Sequence, residues 1–305
     1  MTNPTEARRI ITNAQQRYRQ FFDNKEIVDI IVRAISPGTE RGAQSVLSMT
    51  QSIEAVDGNM MAMQPRALVT AAVGERFKEI LQLTKPYFEH YAKRTDANFV
   101  VIEHCGYKNG KFAKLHLGEL LNRYERILFV DVDAILLPTC PDLFRQSTAD
   151  DAVLAWVEPT DWWRDEWKRD LGMRKHFERT GVAGPWNRVF INTGVMLLSS
   201  VHSQLFEPTD EKLWDEFPDT EQFYINFRIA VTKTRVMDLS FRFNCNYNYF
   251  RQLGSGSRPY VIHPMGYGVE ETMDIITQLR REYPVSKARA LLVKVLSRIL
   301  PRTST

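Results

Sequence analysis

Apolar and polar residues alternate in blocks through the middle of this chain, and the blocks have the lengths of strands and helices. Apolar runs at 67–73, 97–103 and 126–137 are separated by segments at 75–91 and 111–123 that have helical periodicity. Continuous apolar runs of this kind are typical of strands buried on both faces. The order predicts a β-α-β-α-β unit in a parallel, doubly wound sheet, with ligands at the carboxyl ends of the strands.

The third apolar run contains Asp131-Val132-Asp133, which places two carboxylates at positions i and i+2. Burying two unpaired carboxylates at the end of a strand is costly, and a bound divalent cation would offset that cost. Hard cations held by one or two carboxylates together with a substrate's phosphates fit this arrangement. An inert, solvated acidic turn after a core strand is the alternative, and this stretch alone does not separate the two.

Further elements follow downstream of the acidic pair. The pattern predicts strands at 152–157, 189–199, 236–239 and 259–262, and a helix at 219–229. The stretch 192–194 interrupts one of these strands, and Gly194 indicates a bulge or a close approach of the backbone to a ligand. Gln222 and Asn226 share a face of the predicted helix, as they also would on a solvated helix.

The two ends of the chain differ in character from its middle. Residues 1–64 combine a helical periodicity with a small, polar and Met-rich stretch, so we expect a helical extension and a connector there. The main domain is expected over 65–270. We expect a helical tail over 271–305, in which 286–302 is basic and amphipathic. Such helices pack on their own domain or lie on anionic membranes. The N-terminal helices would serve either oligomerisation or docking of an acceptor.

Composition narrows the class of protein. The 305 residues are 44% hydrophobic and 25% charged, as in ordinary soluble globular proteins. A net charge of +3 does not favour nucleic acid as a partner. Three widely spaced cysteines suit a reducing compartment better than a disulfide framework. The first 20 residues lack the apolar core of a signal peptide, so we expect a cytoplasmic protein.

Short motifs follow one another in a specific order in the second half of the chain. They are Asp131-Val132-Asp133, the stretch 190–196, Glu221-Gln222 with Asn226, the stretch 239–244, and His263 with Gly266. Over about 67–268 this order resembles the GT-A nucleotide-sugar glycosyltransferases, most of all the family of glycogenin and the bacterial lipopolysaccharide galactosyltransferases. The resemblance implies a GT-A, Rossmann-like α/β fold with a mixed, mostly parallel sheet flanked by helices, to which this chain adds helical extensions at both ends.

The same resemblance implies a metal-dependent hexosyltransferase that uses a nucleotide-sugar donor, a UDP-sugar in that family, and retains the anomeric configuration. Asp131, Asp133 and His263 would hold Mn²⁺ or Mg²⁺. The donor-binding residues would be Ala71, Ala72, Val73, Lys114, Asp131, Val132, Asp133, Gly194 and Gly266. The catalytic residues would be Asn192, which resembles a donor-contacting Asn, and the pair Glu221 and Gln222 on the face of the sugar where substitution occurs.

The sequence departs from the family's motifs at two places. Residues 72–74 replace the acidic pair that helps bind uracil, so that contact does not carry over. Residues 266–268 replace the start of the family's Gly-x-x-Lys-Pro-Trp, so the cation for the β-phosphate would come from Lys111 or Lys114.

Several readings of the chemistry stay open at this stage. A phosphatase of the haloacid-dehalogenase type would use Asp131 as its nucleophile. A non-catalytic, nucleotide-binding scaffold of the same fold is the other alternative. The acceptor of a transferase would be a glycan, a lipid or a protein. The Trp-rich segment 156–186, with Glu158 and Asp161 beside it, favours an acceptor-binding or lid segment that stacks on sugars.

Overall fold

The computed structural model describes residues 64–146, 151–159, 166–182, 186, 188–214, 220–253 and 258–285. The strands are β1 (Gln64–Ala71), β2 (Asn98–Ile102), β3 (Tyr124–Val130), β4 (Ile135–Leu136), β5 (Ala152–Val157), β6 (Ile191–Ser199), β7 (Arg235–Asp238), β8 (Cys245–Asn246) and β9 (Val261–His263). The α-helices are α1 (Glu75–Thr95), α2 (Leu117–Leu120), α3 (Glu166–Thr180), α4 (Thr220–Thr232), α5 (Tyr247–Leu253) and α6 (Val269–Glu282).

Some predicted features lie outside the described residues. These are the N-terminal extension up to residue 63, the basic segment 286–302, Asp161, Trp162 and Trp163. The predicted domain limits stay a prediction. Within the described ranges, no helix combines the length and the apolar composition that crossing a bilayer requires.

The main sheet has six strands in the order β2-β1-β3-β6-β5-β7. Five of them run in one direction, and β6 runs antiparallel to both of its neighbours, β3 and β5. A second, smaller sheet joins β4, β9 and β8. The structure thus confirms a mixed, mostly parallel α/β fold, and the reversal of β6 corrects the simpler expectation of an all-parallel sheet.

The main sheet is buried on both faces, which explains the continuous apolar runs of its strands. In β3, Leu128 and Val130 belong to the core beneath α1 and α6, while Ile127 and Phe129 belong to the core beneath α2, α3 and α4. All four side chains are fully buried. Successive residues of a strand point to opposite faces, so a strand between two helical layers needs apolar residues at every position.

The segment predicted as one helix at 111–123 is instead a 3-10 helix, Gly110–His116, followed by the short helix α2. Four consecutive residues, Phe112 to Leu115, are buried. An amphipathic α-helix buries only one stripe of its surface, so a segment buried at successive positions does not follow that pattern. This local geometry leaves Lys114 inside the protein.

The apolar run 126–137 also divides into two strands. β3 ends at Val130, a turn follows in which the Ala134 amide donates to the Asp131 carbonyl at 3.0 Å, and β4 then joins the smaller sheet. There Ile135 pairs with Ile262 in β9. The turn therefore carries the two aspartates from one sheet towards the strand that ends at His263.

Trp214 joins the helices that flank one face of the sheet, and we expect its loss to destabilise the protein. It is 1% exposed, and its ring lies 4.0 Å from the His176 ring of α3 and 5.1 Å from the Tyr224 ring of α4, measured between centroids. Trp214→Ala should lower the free energy of unfolding by about 3–5 kcal/mol, as buried aromatic truncations do. Urea denaturation measures this change.

The neighbouring Leu213 provides a matched control because its side chain is 37% exposed. Leu213→Ala should change the free energy of unfolding by no more than about 0.5 kcal/mol. Equal losses in the two variants would contradict the role given to Trp214.

Candidate active site

The reversal of β6 brings two distant motifs to one edge of the sheet. Val130 at the end of β3 pairs with Val195, in the middle of β6. One residue further, the Asp131 amide donates to the Gly194 carbonyl at 2.8 Å. Because β1 lies parallel to β3, residues 72–73 follow its carboxyl end at the same edge. Residues 72–74 and 131–133 therefore lie at the same edge, as expected for the carboxyl ends of neighbouring parallel strands.

Asp131, Asp133 and His263 form a cluster at this edge. Their ligand atoms all lie within 4.8 Å of one another. His263 Nε2 is 3.1 Å from Asp133 Oδ1 and 3.8 Å from Asp131 Oδ2. Val132, between the aspartates, is buried in the apolar core. The aspartate side chains are 26% and 25% exposed, so the cluster is open to a ligand on one side.

Lys114 links this cluster to helix α4. Its ammonium lies 3.0 Å from Asp131 Oδ1, 3.1 Å from Glu221 Oε1 and 3.2 Å from Thr193 Oγ1. Burial lowers the pKa of Lys114, but the charges of Asp131 and Glu221 outweigh burial, so the pKa is raised. Lys114 is therefore a charged group that holds two carboxylates from different parts of the chain.

The cluster's own protonation follows from its geometry. Burial raises the pKa of Asp131 more than the charges of Lys114 and His263 lower it. For Asp133 burial is also the largest single effect and acts to raise the pKa, but the charge and hydrogen bond of His263, together with smaller effects, lower the pKa overall. Burial lowers the pKa of His263, but the charge and hydrogen bond of Asp133 raise it overall. Both shifts favour the charged forms of Asp133 and His263 as long as no cation is bound.

The residues present fit a divalent cation. The described polar residues here include the carboxylates of Asp131, Asp133, Glu158 and Glu221 and the cations Lys114 and Arg169. With His263 neutral, this set carries an excess of two negative charges, which a divalent cation would balance. Two carboxylates and one imidazole form a mixed oxygen and nitrogen set, which suits Mn²⁺ better than Ca²⁺.

Helix α4 presents its polar face to the start of β6 and not to solvent. Gln222 Oε1 accepts from the Thr193 amide at 3.2 Å, and Asn226 Oδ1 accepts from the Ile191 amide at 2.7 Å. The pairing between β5 and β6 is irregular at this point, as Ala155 pairs with Met196 but Val157 pairs with Ile191. The predicted bulge is confirmed, and side-chain amides satisfy backbone groups that the irregular pairing releases.

The two carboxylate oxygens of Glu221 differ in their contacts with the described residues. Oε1 binds Lys114, whereas Oε2 is buried and has no hydrogen-bond partner among the described residues. Buried carboxylate oxygens without a partner are rare, and they call for an explanation. Oε2 is available to accept a hydrogen bond from a bound substrate or to face a positive centre in one.

Asn192 is enclosed in a network of polar side chains. Its Oδ1 accepts from the Gly194 amide at 2.9 Å and from Asn244 Nδ2 at 2.7 Å. Its Nδ2 donates to Glu158 Oε1 at 3.3 Å and to Met265 Sδ at 3.4 Å. Glu158 in turn accepts from Gln222 Nε2 at 3.4 Å, so the predicted catalytic residues Asn192 and Gln222 share one carboxylate.

Three further residues contact the site but were not among the site residues predicted from the sequence. Thr193 contacts Lys114, Asn244 contacts His263, and Arg169 lies 2.8 Å from Glu158 Oε2. Thr193 and Asn244 stand inside the motifs quoted above, so their position was a usable signal. Arg169 belongs to α3, and no motif pointed to it.

The remaining residues predicted to bind the donor offer a ligand backbone atoms and space, and no polar side chain. Ala71, Ala72 and Val73 carry no polar side-chain atoms, and the Ala72 amide already donates to the Ile102 carbonyl at 2.8 Å. Gly266 follows His263 in a turn at a φ of 84°, a conformation that favours glycine. Their roles in donor binding stay predictions.

Gly194 leaves room for the His263 ring, and we expect a methyl group there to displace it. A Cβ atom built at Gly194 would lie 2.5 Å from His263 Cε1 and 2.8 Å from Nδ1, closer than real Cβ contacts. Gly194→Ala should therefore weaken Mn²⁺ binding by about 10–100-fold, the usual cost of disturbing the support of a metal ligand. Isothermal titration with Mn²⁺ measures the affinity.

Gly268→Ala is the matched control, because a Cβ atom there meets no atom within 4 Å and its φ is −66°. That variant should bind Mn²⁺ like the wild type. Unchanged affinity in Gly194→Ala would show that the His263 ring is not held at the cation site.

Mn²⁺ affinity should fall as the pH decreases. His263 binds a cation only through an unprotonated nitrogen, and its raised pKa keeps it protonated to a higher pH than an ordinary histidine. Binding is therefore weak below that pKa and strengthens as the pH rises through it. Titration followed by the electron paramagnetic resonance of free Mn²⁺, between about pH 6 and pH 8, tests this.

His90→Gln, on α1, serves as the control for this titration and should keep the wild-type pH dependence. An affinity that does not change over this range would contradict the assignment of His263 as a ligand.

No protein-family model matches the chain, and no curated protein matches it in sequence. It is similar to solved structures of glycosyltransferases. One, involved in glycosylation of the major capsid of PBCV-1, shares 14% identity over 70% of this chain and 99% of that one, with a TM-score of 0.48. Galactosyltransferase LgtC, in complex with donor and acceptor sugar analogues, shares 14% identity over 70% and 95%, with a TM-score of 0.44.

The apo form of the glycosyltransferase GlyE from Streptococcus pneumoniae TIGR4 shares 13% identity over 79% of this chain and 66% of that one, with a TM-score of 0.45. These three proteins are glycosyltransferases. Because each TM-score is below 0.5, the function of this chain has to be inferred from its own site.

Proposed function

We propose that this protein is a metal-dependent glycosyltransferase that moves a sugar from a nucleotide-sugar donor to an acceptor. One observation carries the proposal: the cluster of Asp131, Asp133 and His263 lies at the carboxyl edge of the sheet, and Lys114 joins it to Glu221. A site for a diphosphate-bound cation is thereby coupled to a carboxylate, one oxygen of which has no hydrogen-bond partner within the described ranges. The order of the sequence motifs supports the same function.

Transfer of a glycosyl group requires that the leaving diphosphate be stabilised as it gains negative charge. When bound, a divalent cation supplies this stabilisation as a Lewis acid. Asp131, Asp133 and His263 would hold it, Mn²⁺ or Mg²⁺ being the candidates. Lys114 keeps Asp131 in place and does so through a charge that is permanently inside the protein. The side chains that hold the cation are thus oriented before the donor arrives.

Glu221 is the residue placed to act on the sugar. Lys114 fixes its Oε1, while Oε2 remains without a partner in the described structure. A carboxylate in this position would stabilise an oxocarbenium-like centre or accept a proton. Gln222 and Asn192 hold Glu158 and the start of β6 beside it. Retention of the anomeric configuration is part of the proposal and comes from the family resemblance.

The donor, the cellular location and the acceptor are proposed from the sequence alone. The resemblance favours a UDP-sugar as the donor, although residues 72–74 lack the family's acidic pair. An odd and sparse set of cysteines supports a cytoplasmic location. We propose a glycan, lipid or protein as the acceptor, and peripheral membrane contact through 286–302 as the way to reach a lipid-linked one.

The proposal predicts turnover of one donor that depends on both metal and Asp133. Purified protein is incubated with a panel of nucleotide sugars, with and without Mn²⁺, and the nucleoside diphosphate released is measured. Asp133→Asn keeps the size of the side chain but removes the charge at a ligand position. It should abolish the metal-dependent release while leaving the melting temperature near that of the wild type.

Asp274→Asn, at an exposed position on α6, is the matched control and should retain full activity. Turnover that is the same with and without Mn²⁺, and the same in Asp133→Asn as in the wild type, would show that the cluster takes no part in the reaction. Cleavage of a phosphomonoester, with no donor consumed, would favour the phosphatase. Donor binding without turnover, even with candidate acceptors, would favour a non-catalytic scaffold.

A further inference from the structure

The cation ligand His263 is supported by a chain of amide side chains that starts at the backbone of β6. We propose that Asn244 is a positioning residue that holds neutral His263 in the tautomer protonated on Nδ1, so that Nε2 keeps its lone pair for the cation. We further assign Asn192 to the same task, acting through Asn244. The inference rests on the proposed cation site.

The orientation of each amide follows from one backbone group. The Gly194 N–H can only donate, so the atom of Asn192 that lies 2.9 Å from it is the side-chain oxygen. That same oxygen lies 2.7 Å from Asn244, whose contacting atom must then be its NH₂ group. The carboxylate of Glu158 fixes the other end, because it accepts from Asn192 Nδ2 at 3.3 Å.

The orientation of Asn244 in turn determines which nitrogen of the His263 ring carries the proton. With its NH₂ group turned to Asn192, Asn244 presents its Oδ1 to His263 Nδ1 at 2.9 Å. An amide oxygen can only accept, so Nδ1 carries the proton. Nε2, on the opposite side of the ring, faces Asp133 and Asp131 at 3.1 Å and 3.8 Å. In the neutral ring it is the atom with the lone pair, as a metal ligand requires.

Asn192 has no unused hydrogen-bonding capacity for a substrate. An amide oxygen accepts about two hydrogen bonds and an NH₂ group donates two. Gly194 and Asn244 occupy the oxygen, and Glu158 and Met265 occupy the NH₂ group. The contacts of Asn192 therefore favour a role through Asn244 over direct contact with the donor.

Burial makes the arrangement rigid. Asn192 is 8% exposed, Asn244 1% and His263 4%. A flip of either amide would place two donors or two acceptors face to face where water cannot compensate, at a cost of about 1–3 kcal/mol for each unsatisfied group. The network thus favours one tautomer without contacting the cation itself.

The test compares two substitutions of Asn244 by two readouts. Asn244→Leu removes the acceptor for Nδ1–H, whereas Asn244→Asp keeps an acceptor but loses the donor to Asn192. The ¹⁵N signals of His263, in histidine-labelled protein saturated with diamagnetic Mg²⁺, report which ring nitrogen is protonated and which one faces the cation. They are assigned by their disappearance in His263→Gln. Mn²⁺ affinity is measured by isothermal titration.

With Mg²⁺ bound, we expect the His263 ring of the wild type to be neutral and protonated on Nδ1. Asn244→Leu should produce a mixture of tautomers and weaken Mn²⁺ binding by about 10–100-fold. Asn244→Asp should keep the wild-type tautomer and bind Mn²⁺ within about tenfold of the wild type, even if it is less stable to heat. Asn248→Ala, at an exposed position four residues further along, is the control and should change neither readout.

Several results would overturn the inference. Protonation of the cation-bound wild-type His263 ring on Nε2 would overturn it. This measurement needs no variant, so it decides the question even if Asn244→Leu does not fold. Equal loss of Mn²⁺ affinity in Asn244→Leu and Asn244→Asp would show a merely structural role. A wild type that binds neither Mg²⁺ nor Mn²⁺ would refute the cation site and with it the proposed function, whereas a wild type that binds the cation with its His263 ring protonated on Nε2 would refute this inference alone.

Discussion

The buried ammonium of Lys114 is the interaction on which the candidate site depends. An ion in a protein interior is stable only if charged or polar partners replace its hydration. Here the partners come from three segments: the turn after β3, the start of β6, and helix α4. Each of these segments must therefore be in place for Lys114 to be satisfied, and each carries a residue of the proposed chemistry. The contacts that compensate the charge of Lys114 are therefore the same contacts that set the geometry of the site.

A second constraint comes from the backbone of β6. This strand is antiparallel to its neighbours and leaves the regular ladder with β5 between Met196 and Ile191. Amide side chains of α4 then bind the backbone groups that a neighbouring strand would otherwise pair. Their spacing of one helical turn, Gln222 to Asn226, matches the two amides of Thr193 and Ile191. The polar face of α4 is thus part of the sheet's hydrogen bonding, which a solvated helix would not require.

The sequence predicted those parts of the molecule that local patterns determine. Continuous apolar runs located β1, β2, β5 and β6 to within a few residues, and the start of β3, because burial on both faces leaves a strong signal. Asp131, Asp133, His263 and Glu221 were all placed in the site by motif order. The division of 126–137 between two sheets was not predictable, since it depends on pairing with Ile262 far along the chain. Nor was Arg169, whose role depends on where α3 lies.

The distance in sequence between partners has a consequence for how the protein is made. Lys114 and Glu221 are separated by 107 residues, and His263 lies further still along the chain. Contacts of such long range form late, because closing the intervening loop costs entropy before the contact is gained. During synthesis on the ribosome, Asp131 and Asp133 emerge long before the imidazole that completes their cluster. Binding of the proposed cation would therefore depend on completion of the fold, because a nascent or truncated chain lacks one of the three side chains of the cluster.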